Sequence, residues 1–245
     1  MNLSEARWRE LGLWPLWVAR TQARDALGQT AAATVPLVAA QLPDTMLNEA
    51  SWTQLRQMVS DCQRCSLHQG RRQAVFGVGD ERARWLFVGE GPGAEEDQRG
   101  EPFVGAAGRL LDQMLRALGL MRGKDVYIAN VVKCRPPQNR TPTDEECAAC
   151  TPYLLRQIAL IKPMVIVALG RVAAHALLKT DGALSTLRLQ QHHFGEIPLV
   201  VTWHPAFLLR KPAEKARAWE DLCHARQLMV SRCTPRGDND GTAAT

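Results

Sequence analysis

The chain has 245 residues, 46% of them hydrophobic and 22% charged, which is typical of a soluble globular protein with one large domain or one domain plus an appendage. No apolar run approaches the roughly 18–20 residues of a membrane span. The N-terminal sequence MNLSEARWRELGLW also lacks the apolar core of a signal peptide, so we expect no membrane association and a cytoplasmic location. The net charge of +5 and the pI near 9.0 suit a nucleic-acid partner bound through its phosphates, although many soluble enzymes are equally basic.

The two ends of the chain differ in composition from its middle. Residues 1–20 have the apolar spacing of a short amphipathic helix, and residues 28–48 are rich in Ala, Pro and Thr. We therefore predict an N-terminal helix and a flexible linker over residues 1–50 and a folded domain over residues 51–232. The polar residues 233–245 are predicted to be a disordered tail.

The middle of the chain alternates predicted strands with predicted helices. Short apolar runs predict strands at residues 85–89, 126–132, 164–169 and 197–203. Apolar residues at helical spacing predict helices at residues 106–118, 144–161, 171–178 and 213–230. Thr143 and Glu146 have the spacing of a capping box at the start of the second helix. This alternation is typical of an α/β fold with a parallel sheet covered on both faces, which binds ligands at the carboxyl ends of its strands.

A glycine-rich, acidic segment follows the first strand, with the sequence GEGPGAEED at residues 89–97. Glycines allow the backbone to turn tightly and to approach a ligand closely. A dinucleotide-binding loop is disfavoured because Pro92 and the acidic Glu95, Glu96 and Asp97 would repel a pyrophosphate. Carboxylates beside such a turn suit a neutral substrate or a water molecule that must be polarised. A tight turn that binds no ligand is the simpler interpretation.

Three further side chains are expected near these strand ends. Asn130 falls toward the end of the second strand, where its amide can either read the edge of a base or cap a turn. His204 follows the fourth strand and either donates a hydrogen bond into the cleft or serves as a structural histidine. Phe103 lies in a loop near the first strand end, where it is either a platform for stacking or part of the core.

Basic and apolar residues occupy the loops that would face a nucleic acid. The candidates for phosphate contacts are Lys133, Arg135 and Arg140 after the second strand and Arg210 after the fourth. The neighbouring Phe207, Leu208 and Leu209 would form an apolar wedge if they are exposed and would belong to the core if they are buried. A wedge of this kind is what a base-flipping enzyme needs to fill the stack that it opens.

The chain contains seven cysteines, at positions Cys62, Cys65, Cys134, Cys147, Cys150, Cys223 and Cys233. The odd number argues against a disulfide framework and favours metal binding. The Cys62–Cys65 pair and a second pair from Cys134 and Cys150 can form a four-thiolate site for Zn or for a [4Fe–4S] cluster, which spacing alone does not distinguish. Cys147 competes with Cys150 for this role, and a redox-active dithiol at Cys62 and Cys65 is a further alternative.

Four motifs and the cysteine spacing together resemble the family four uracil-DNA glycosylases, the iron–sulfur members of their superfamily. The motifs are, in order, GEGPGAEED, PFVG, NVVKCRPPQNRTPT and HPAFLLR, and the resemblance covers about residues 55–230. It implies a three-layer α/β/α sandwich with a central four-stranded parallel sheet, to which this chain adds its N-terminal extension. It also implies base excision repair of uracil-containing DNA, in which the N-glycosidic bond of deoxyuridine is hydrolysed and an abasic site is left.

The resemblance assigns a cofactor as well. It implies that a structural [4Fe–4S] cluster, in preference to Zn, is bound by Cys62, Cys65, Cys134 and Cys150. The same motifs imply that uracil stacks on Phe103 and that Asn130 hydrogen-bonds its N3–H and O4. They further imply that His204 stabilises negative charge on O2 as the bond breaks.

The water-activating group is less well matched by the resemblance. Gly89 and Gly91 belong to the uracil-binding turn, but related enzymes carry a catalytic Asp where this chain has Gly91. Glu90 is therefore the first candidate for this role, with Glu96 and Asp97 in reserve. Thymine is expected to be excluded by a steric clash with its methyl group.

Two alternatives to this assignment differ from it in chemistry. A branch that cross-links itself to uracil-DNA carries a basic, histidine-containing insertion after the second strand, which the sequence CRPPQNRTP at residues 134–142 lacks. We therefore predict an ordinary monofunctional hydrolase, and we expect a monomer. The alternative is a noncatalytic iron–sulfur or zinc module that binds DNA or a polymerase. The Trp-rich residues 1–50 would either dock a repair or replication protein or pack on the domain.

Overall fold

The computed structural model describes residues 44–188 and 190–233. The predicted N-terminal helix, most of the predicted linker and the predicted tail lie outside the described residues, apart from Cys233 at the end of the last helix.

The domain is built on a six-stranded mixed sheet with the order β1-β3-β2-β4-β6-β5. The strands are β1 (Val78–Gly79), β2 (Trp85–Gly89), β3 (Val126–Asn130), β4 (Val165–Leu169), β5 (His192–Phe194) and β6 (Ile197–Thr202). The four central strands β3, β2, β4 and β6 are parallel, as predicted. The prediction of a four-stranded sheet is wrong, because β1 and β5 pair antiparallel with β3 and β6 at the two edges. These edge strands have two and three residues, too few for an apolar periodicity to reveal them.

Helices cover both faces of the sheet. They are α1 (Asp44–Glu49), α2 (Trp52–Ser60), α3 (Ala94–Arg99), α4 (Ala106–Ala117), α5 (Asp144–Ile161), α6 (Arg171–Leu178), α7 (Leu184–Leu187), α8 (Pro205–Arg210) and α9 (Lys215–Cys233). Alternate residues of β2 enter two separate cores: Leu86 and Val88 pack with α2, α5 and α6, whereas Trp85 and Phe87 pack with α4 and α9. The predicted covering of both faces is therefore confirmed. In the described part of the chain, no helix is both long and apolar enough to cross a membrane.

The packed domain extends further toward the N-terminus than the predicted start at residue 51. Leu47 and Ala50 are buried in the core, and Arg156 Nε donates a hydrogen bond of 2.8 Å to the Ala50 carbonyl.

The predicted start of α5 at a capping box is present in the structure. The Thr143 hydroxyl accepts a hydrogen bond from Glu146 N, and the Glu146 carboxylate accepts one from Thr143 N, which confirms the capping box of α5.

Candidate active site

A cavity of about 350 Å³, called the main cavity, lies at the edge of the sheet where the central strands end. Because these strands are parallel, the segments after β2, β3 and β6 meet there. The predicted site residues that line the cavity are Glu90, Gly91, Glu96, Phe103, Asn130, Arg140, His204, Phe207 and Arg210. The structure thus brings together side chains that are separated by more than a hundred residues in the sequence.

Asn130 is the last residue of β3 and places its amide at the bottom of the cavity. Its side chain is 2% exposed, and its Oδ1 is buried with no hydrogen-bond partner among the described residues. A buried acceptor without a partner costs about 1–3 kcal/mol, so this oxygen is well suited to accept a hydrogen bond from a ligand N–H. Gly89 makes this position accessible: a Cβ there would lie 2.5 Å from both Asn130 Oδ1 and Phe103 Cζ.

The loop that carries Phe103 is held in place by Glu96. One Glu96 carboxylate oxygen accepts hydrogen bonds from Val104 N (2.9 Å) and Gly105 N (3.0 Å), and the other accepts one from Gly93 N (3.1 Å). Both oxygens are therefore committed to the backbone, which argues against the reserve role of Glu96 in activating water. The carboxylate instead connects the two loops that flank the cavity.

Arg122 fixes the same loop from its opposite side. Its guanidinium donates hydrogen bonds to the carbonyl oxygens of Phe103 (2.7 Å) and Pro102 (2.8 Å) and pairs with Asp112. Phe103 needs this support because its φ of 55° lies in the left-handed region that is unfavourable for a bulky residue. Gly108 lets α4 approach, since a Cβ there would lie 1.8 Å from the Phe103 carbonyl oxygen.

His204 lines the cavity next to Phe103, at a ring-centroid distance of 5.5 Å. It also caps α8, because its Nδ1 accepts a hydrogen bond of 3.1 Å from Ala206 N. Burial and, to a smaller extent, the positive charge of Arg210 lower the pKa of His204 to about 4, and the negative charge of Glu96 opposes them. The imidazole is therefore neutral near pH 7, and since Nδ1 is an acceptor, its one proton is on Nε2 and is available to a ligand.

The three carboxylates proposed for water activation occupy different environments. Glu90 is half-buried at the cavity; burial raises its pKa, and a hydrogen bond from Thr141 and the positive charge of Arg171 oppose this shift. Asp97 is 2% exposed, is not among the cavity-lining residues, and accepts a hydrogen bond of 2.9 Å from Arg72 N. Its burial and its bond to the Arg72 backbone argue against the reserve role of Asp97 in activating water.

Two of the side chains predicted to contact DNA are too deeply buried to do so. Lys133 and Leu208 are each 1% exposed, so neither is available to a phosphate group or as a wedge. Phe207 is partly exposed at the cavity rim and stacks on Trp203 at a centroid distance of 4.6 Å. Leu209 is 44% exposed and stays available for an apolar contact.

Three arginines remain as surface candidates for phosphate contacts. Arg210 is exposed at the cavity rim, and Arg135 donates a hydrogen bond of 2.7 Å to Asn139. Arg140 pairs with both oxygens of Glu146 at 2.7 and 2.8 Å, and this pairing lowers the pKa of the Glu146 carboxylate. Arg140 therefore stabilises the start of α5 as well as lining the cavity.

A second, small cavity, called the cysteine cavity, is lined by Cys62, Cys65, Cys134 and Cys150, whereas Cys147 does not line it. Three N–H groups point at sulfur atoms: Arg71 Nη1 lies 2.9 Å from Cys134 Sγ, Lys133 N lies 3.2 Å from Cys150 Sγ, and Arg64 N lies 3.5 Å from Cys62 Sγ. Burial raises the pKa of Cys150 to about 12, so its thiolate needs a cation to be stable.

These donors fit a thiophilic centre. The set consists of sulfur alone, it is partly enclosed by Tyr153 and Val59, and N–H groups already point at three of the sulfur atoms. Within residues 44–188 and 190–233, no three Cys, His, Asp or Glu side chains converge closely enough to bind one metal ion.

Three residues that contribute to the site were missed in the sequence. Arg122 gives no signal, because it reaches Phe103 across nineteen residues. Gly170 lies beneath the site, where a Cβ would lie 2.9 Å from His204 Cβ, and its φ of +91° requires glycine. Thr141 belongs to the quoted motif NVVKCRPPQNRTPT, so its position, although not its contact with Glu90, was available from the sequence.

Residues 76–223 match the family described as the uracil DNA glycosylase superfamily. The type-4 uracil-DNA glycosylase of Pyrobaculum aerophilum is 46% identical over 176 residues, which are 69% of this chain and 89% of that protein. The type-4 enzyme of Thermotoga maritima is 47% identical over 177 residues, covering 70% of this chain and 91% of that protein. The type-4 enzyme of Archaeoglobus fulgidus is 46% identical over 162 residues, covering 63% and 81%.

Proposed function

The chain belongs to the uracil DNA glycosylase superfamily, and from this premise we propose that it is a DNA-repair hydrolase that releases uracil from DNA and leaves an abasic site. The observation that carries the proposal is the polar arrangement of the main cavity. Asn130 Oδ1, which is buried and has no hydrogen-bond partner in the described part of the chain, and the His204 Nε2–H lie beside the ring of Phe103. A uracil ring presents the matching groups, namely an N–H, two carbonyl oxygens and a flat face.

Asn130 is proposed to recognise the base. Its Oδ1 would accept a hydrogen bond from uracil N3–H, and its Nδ2 would donate one to O4. Cytosine reverses the donor and the acceptor at these two positions, so it would leave the buried amide unpaired. Phe103, held by Glu96 and Arg122, provides the stacking surface without having to move when the base enters.

His204 is proposed to stabilise the leaving group. As the N-glycosidic bond lengthens, negative charge develops on the uracil ring, and a neutral Nε2–H donor next to O2 stabilises it. The Ala206 N–H holds the imidazole in the required tautomer. Because burial keeps the pKa of His204 near 4, the ring is neutral at pH 7, so Nδ1 can accept the Ala206 N–H while Nε2–H donates to O2.

Glu90 is proposed to polarise the attacking water. Among the three carboxylates considered, it lines the cavity and has no backbone N–H groups bound to its oxygens among the described hydrogen bonds. Burial raises the pKa of Glu90, which makes the carboxylate a better proton acceptor, while Thr141 and Arg171 oppose this shift and favour the ionised form that accepts a proton from water. The water adds to C1′ of the sugar, and the DNA strand itself is not cut.

We further propose that Cys62, Cys65, Cys134 and Cys150 hold a [4Fe–4S] cluster. The all-sulfur donor set, the N–H groups directed at sulfur and the similarity to type-4 enzymes support this assignment. When bound, the cluster supplies a crosslink that ties the segment before β1 to the loop after β3 and to α5. Arg135, Arg140, Arg210 and Phe207 would contact the DNA around the flipped nucleotide.

One assay tests the proposal. The full chain, with its cluster loaded, is incubated with an oligonucleotide that contains one uracil, and the product is then treated with alkali, which cleaves abasic sites. We expect cleavage at the uracil position, its loss in Asn130→Ala, and its retention in Asn48→Ala, which changes the same residue type at an exposed position of α1. Equal activity of the two variants would place recognition elsewhere. A noncatalytic DNA-binding module would give no cleavage in any sample.

A further inference from the structure

Lys133 is a buried cation that lies between the main cavity and the cysteine cavity. It is 1% exposed, and its Nζ donates hydrogen bonds to the Asn130 carbonyl (2.8 Å) and to Gln157 Oε1 (2.6 Å). Both acceptors are neutral. An ammonium group removed from water is unfavourable unless an opposite charge compensates it, so a negative charge is expected close by.

The cysteine cavity is the nearest source of such a charge. Lys133 lines it, and its backbone N–H points at Cys150 Sγ at 3.2 Å. A second cation, Arg71, points at Cys134 Sγ at 2.9 Å. Four thiolates bound to an iron–sulfur core leave the centre with a net negative charge. Lys133 and Arg71 are therefore placed to balance it from two sides.

On its other side, Lys133 holds the residue that would read the base. The Asn130 carbonyl that it binds belongs to the last residue of β3, whose side chain lies at the bottom of the main cavity. Gln157 is fixed in turn, because its Nε2 donates a hydrogen bond of 2.9 Å to the Phe76 carbonyl. Lys133 thus connects α5, which carries Cys150, to the end of β3.

We propose that Lys133 is a positioning residue that compensates the charge of the cysteine-bound centre and holds Asn130 for base recognition. This inference rests on the proposed function, since it assigns a residue to the same site. It goes beyond the sequence interpretation, which placed Lys133 on the DNA phosphates. It also explains why the centre lies next to the recognition strand without having to take part in the reaction.

The decisive variant is Lys133→Met, made in the full, cluster-loaded chain. The matched control is Lys124→Met, which removes the same charge at an exposed position before β3. Cluster content is measured from bound iron and from absorption near 400 nm, and the midpoint potential of the cluster is measured by redox titration. Without the neighbouring positive charge, reduction becomes harder. At a fixed solution potential the ratio of reduced to oxidised cluster should fall about tenfold, which is a shift of 59 mV for a one-electron couple.

The same variant should lower kcat for uracil excision about tenfold or more per loaded cluster, with KM changed little, because exposed phosphate contacts dominate DNA affinity. An unchanged potential would overturn the charge role, and an unchanged kcat would overturn the positioning role. The unsubstituted protein could excise no uracil while Lys133→Met still shifts the midpoint potential of the cluster. In that case the proposed function fails and the charge role of Lys133 stands.

Two further variants keep the test decisive if Lys133→Met does not retain the cluster. Arg71→Gln removes the second cation, and it should shift the potential in the same direction. Gln157→Leu keeps the charge of Lys133 but removes one of its two acceptors, so it should lower kcat while the potential stays near that of the unsubstituted protein. An unshifted potential in Arg71→Gln would refute the charge role. An unchanged kcat in Gln157→Leu would refute the positioning role.

Discussion

Gly89→Ala tests whether the recognition site is as tightly built as the structure indicates. The added methyl group would lie 2.5 Å from Asn130 Oδ1 and 2.5 Å from Phe103 Cζ, whereas ordinary contacts begin near 3.4 Å. The backbone gives little room for adjustment, because residue 89 ends β2 and is in register with Asn130 on β3. Each of the two side chains must therefore shift by about 1 Å, in the region where the base would bind.

Two effects of different size are expected from Gly89→Ala. Overpacking lowers the free energy of unfolding by about 1–3 kcal/mol. Each kcal/mol lost lowers the Tm by about 2–4 °C for a domain of this length. A misplacement of about 1 Å at a reacting site lowers rates by about 10²-fold. We therefore expect single-turnover excision to fall by about two orders of magnitude in a protein that stays folded and retains its absorption near 400 nm.

The matched control is Gly70→Ala, because a Cβ at Gly70 meets no described residue within 4 Å and its φ of −104° suits alanine. This variant should keep both the rate and the Tm of the unsubstituted protein. The reasoning is refuted if folded Gly89→Ala excises uracil within about threefold of the unsubstituted rate. Loss of the 400 nm absorption in Gly89→Ala alone would instead show that the change acts on the cysteine centre.

Three further outcomes are expected. First, burial lowers the pKa of His204 from its ordinary value of 6.5 to about 4 in the folded protein. The unfolded chain therefore binds a proton at this residue more readily between these pH values, so His204 lowers the free energy of unfolding as the pH falls from about 6.5 to about 4. His204→Gln should reduce this slope in urea unfolding at a series of pH values, and it should lower kcat about 10²–10³-fold at pH 7; an unchanged slope and rate would contradict the role assigned to the ring. Second, Arg122→Met removes the hydrogen bonds to the Phe103 carbonyl and should lower kcat about tenfold without affecting bound iron, whereas equal loss of iron and activity would point to general unfolding. Third, Cys150→Ser should lose the absorption near 400 nm while Cys147→Ser keeps it, because only the first of the two lines the cysteine cavity; the reverse result would exchange their roles.

The strand ends were predictable because local signals determine them. The apolar runs located all four central strands to within two residues, and parallel pairing then brings Asn130 and His204 to one edge of the sheet. The capping box at Thr143 was equally local, since both of its partners lie within four residues. The edge strands β1 and β5 escaped prediction because they are too short and too exposed to show a pattern.

The errors at the site concern burial, which depends on residues that are distant in the sequence. Lys133 lies in a basic, proline-rich segment that suggests a phosphate contact, but Gln157 and the Asn130 carbonyl enclose its ammonium group. Leu208 follows a partly exposed phenylalanine, yet α8 turns it into the core. Asp97 belongs to an acidic run, but the Arg72 backbone, which lies twenty-five residues away, binds it.

The most direct test of the central claim is to detect the released base itself. Cluster-loaded protein is incubated with matched oligonucleotides that carry uracil, cytosine or thymine at one position, and the small-molecule fraction is analysed by mass spectrometry before any alkali is added. The account predicts free uracil from the first oligonucleotide, no free base from the other two, and DNA strands that stay intact. It is contradicted if loaded protein releases no uracil, or if it releases cytosine as readily.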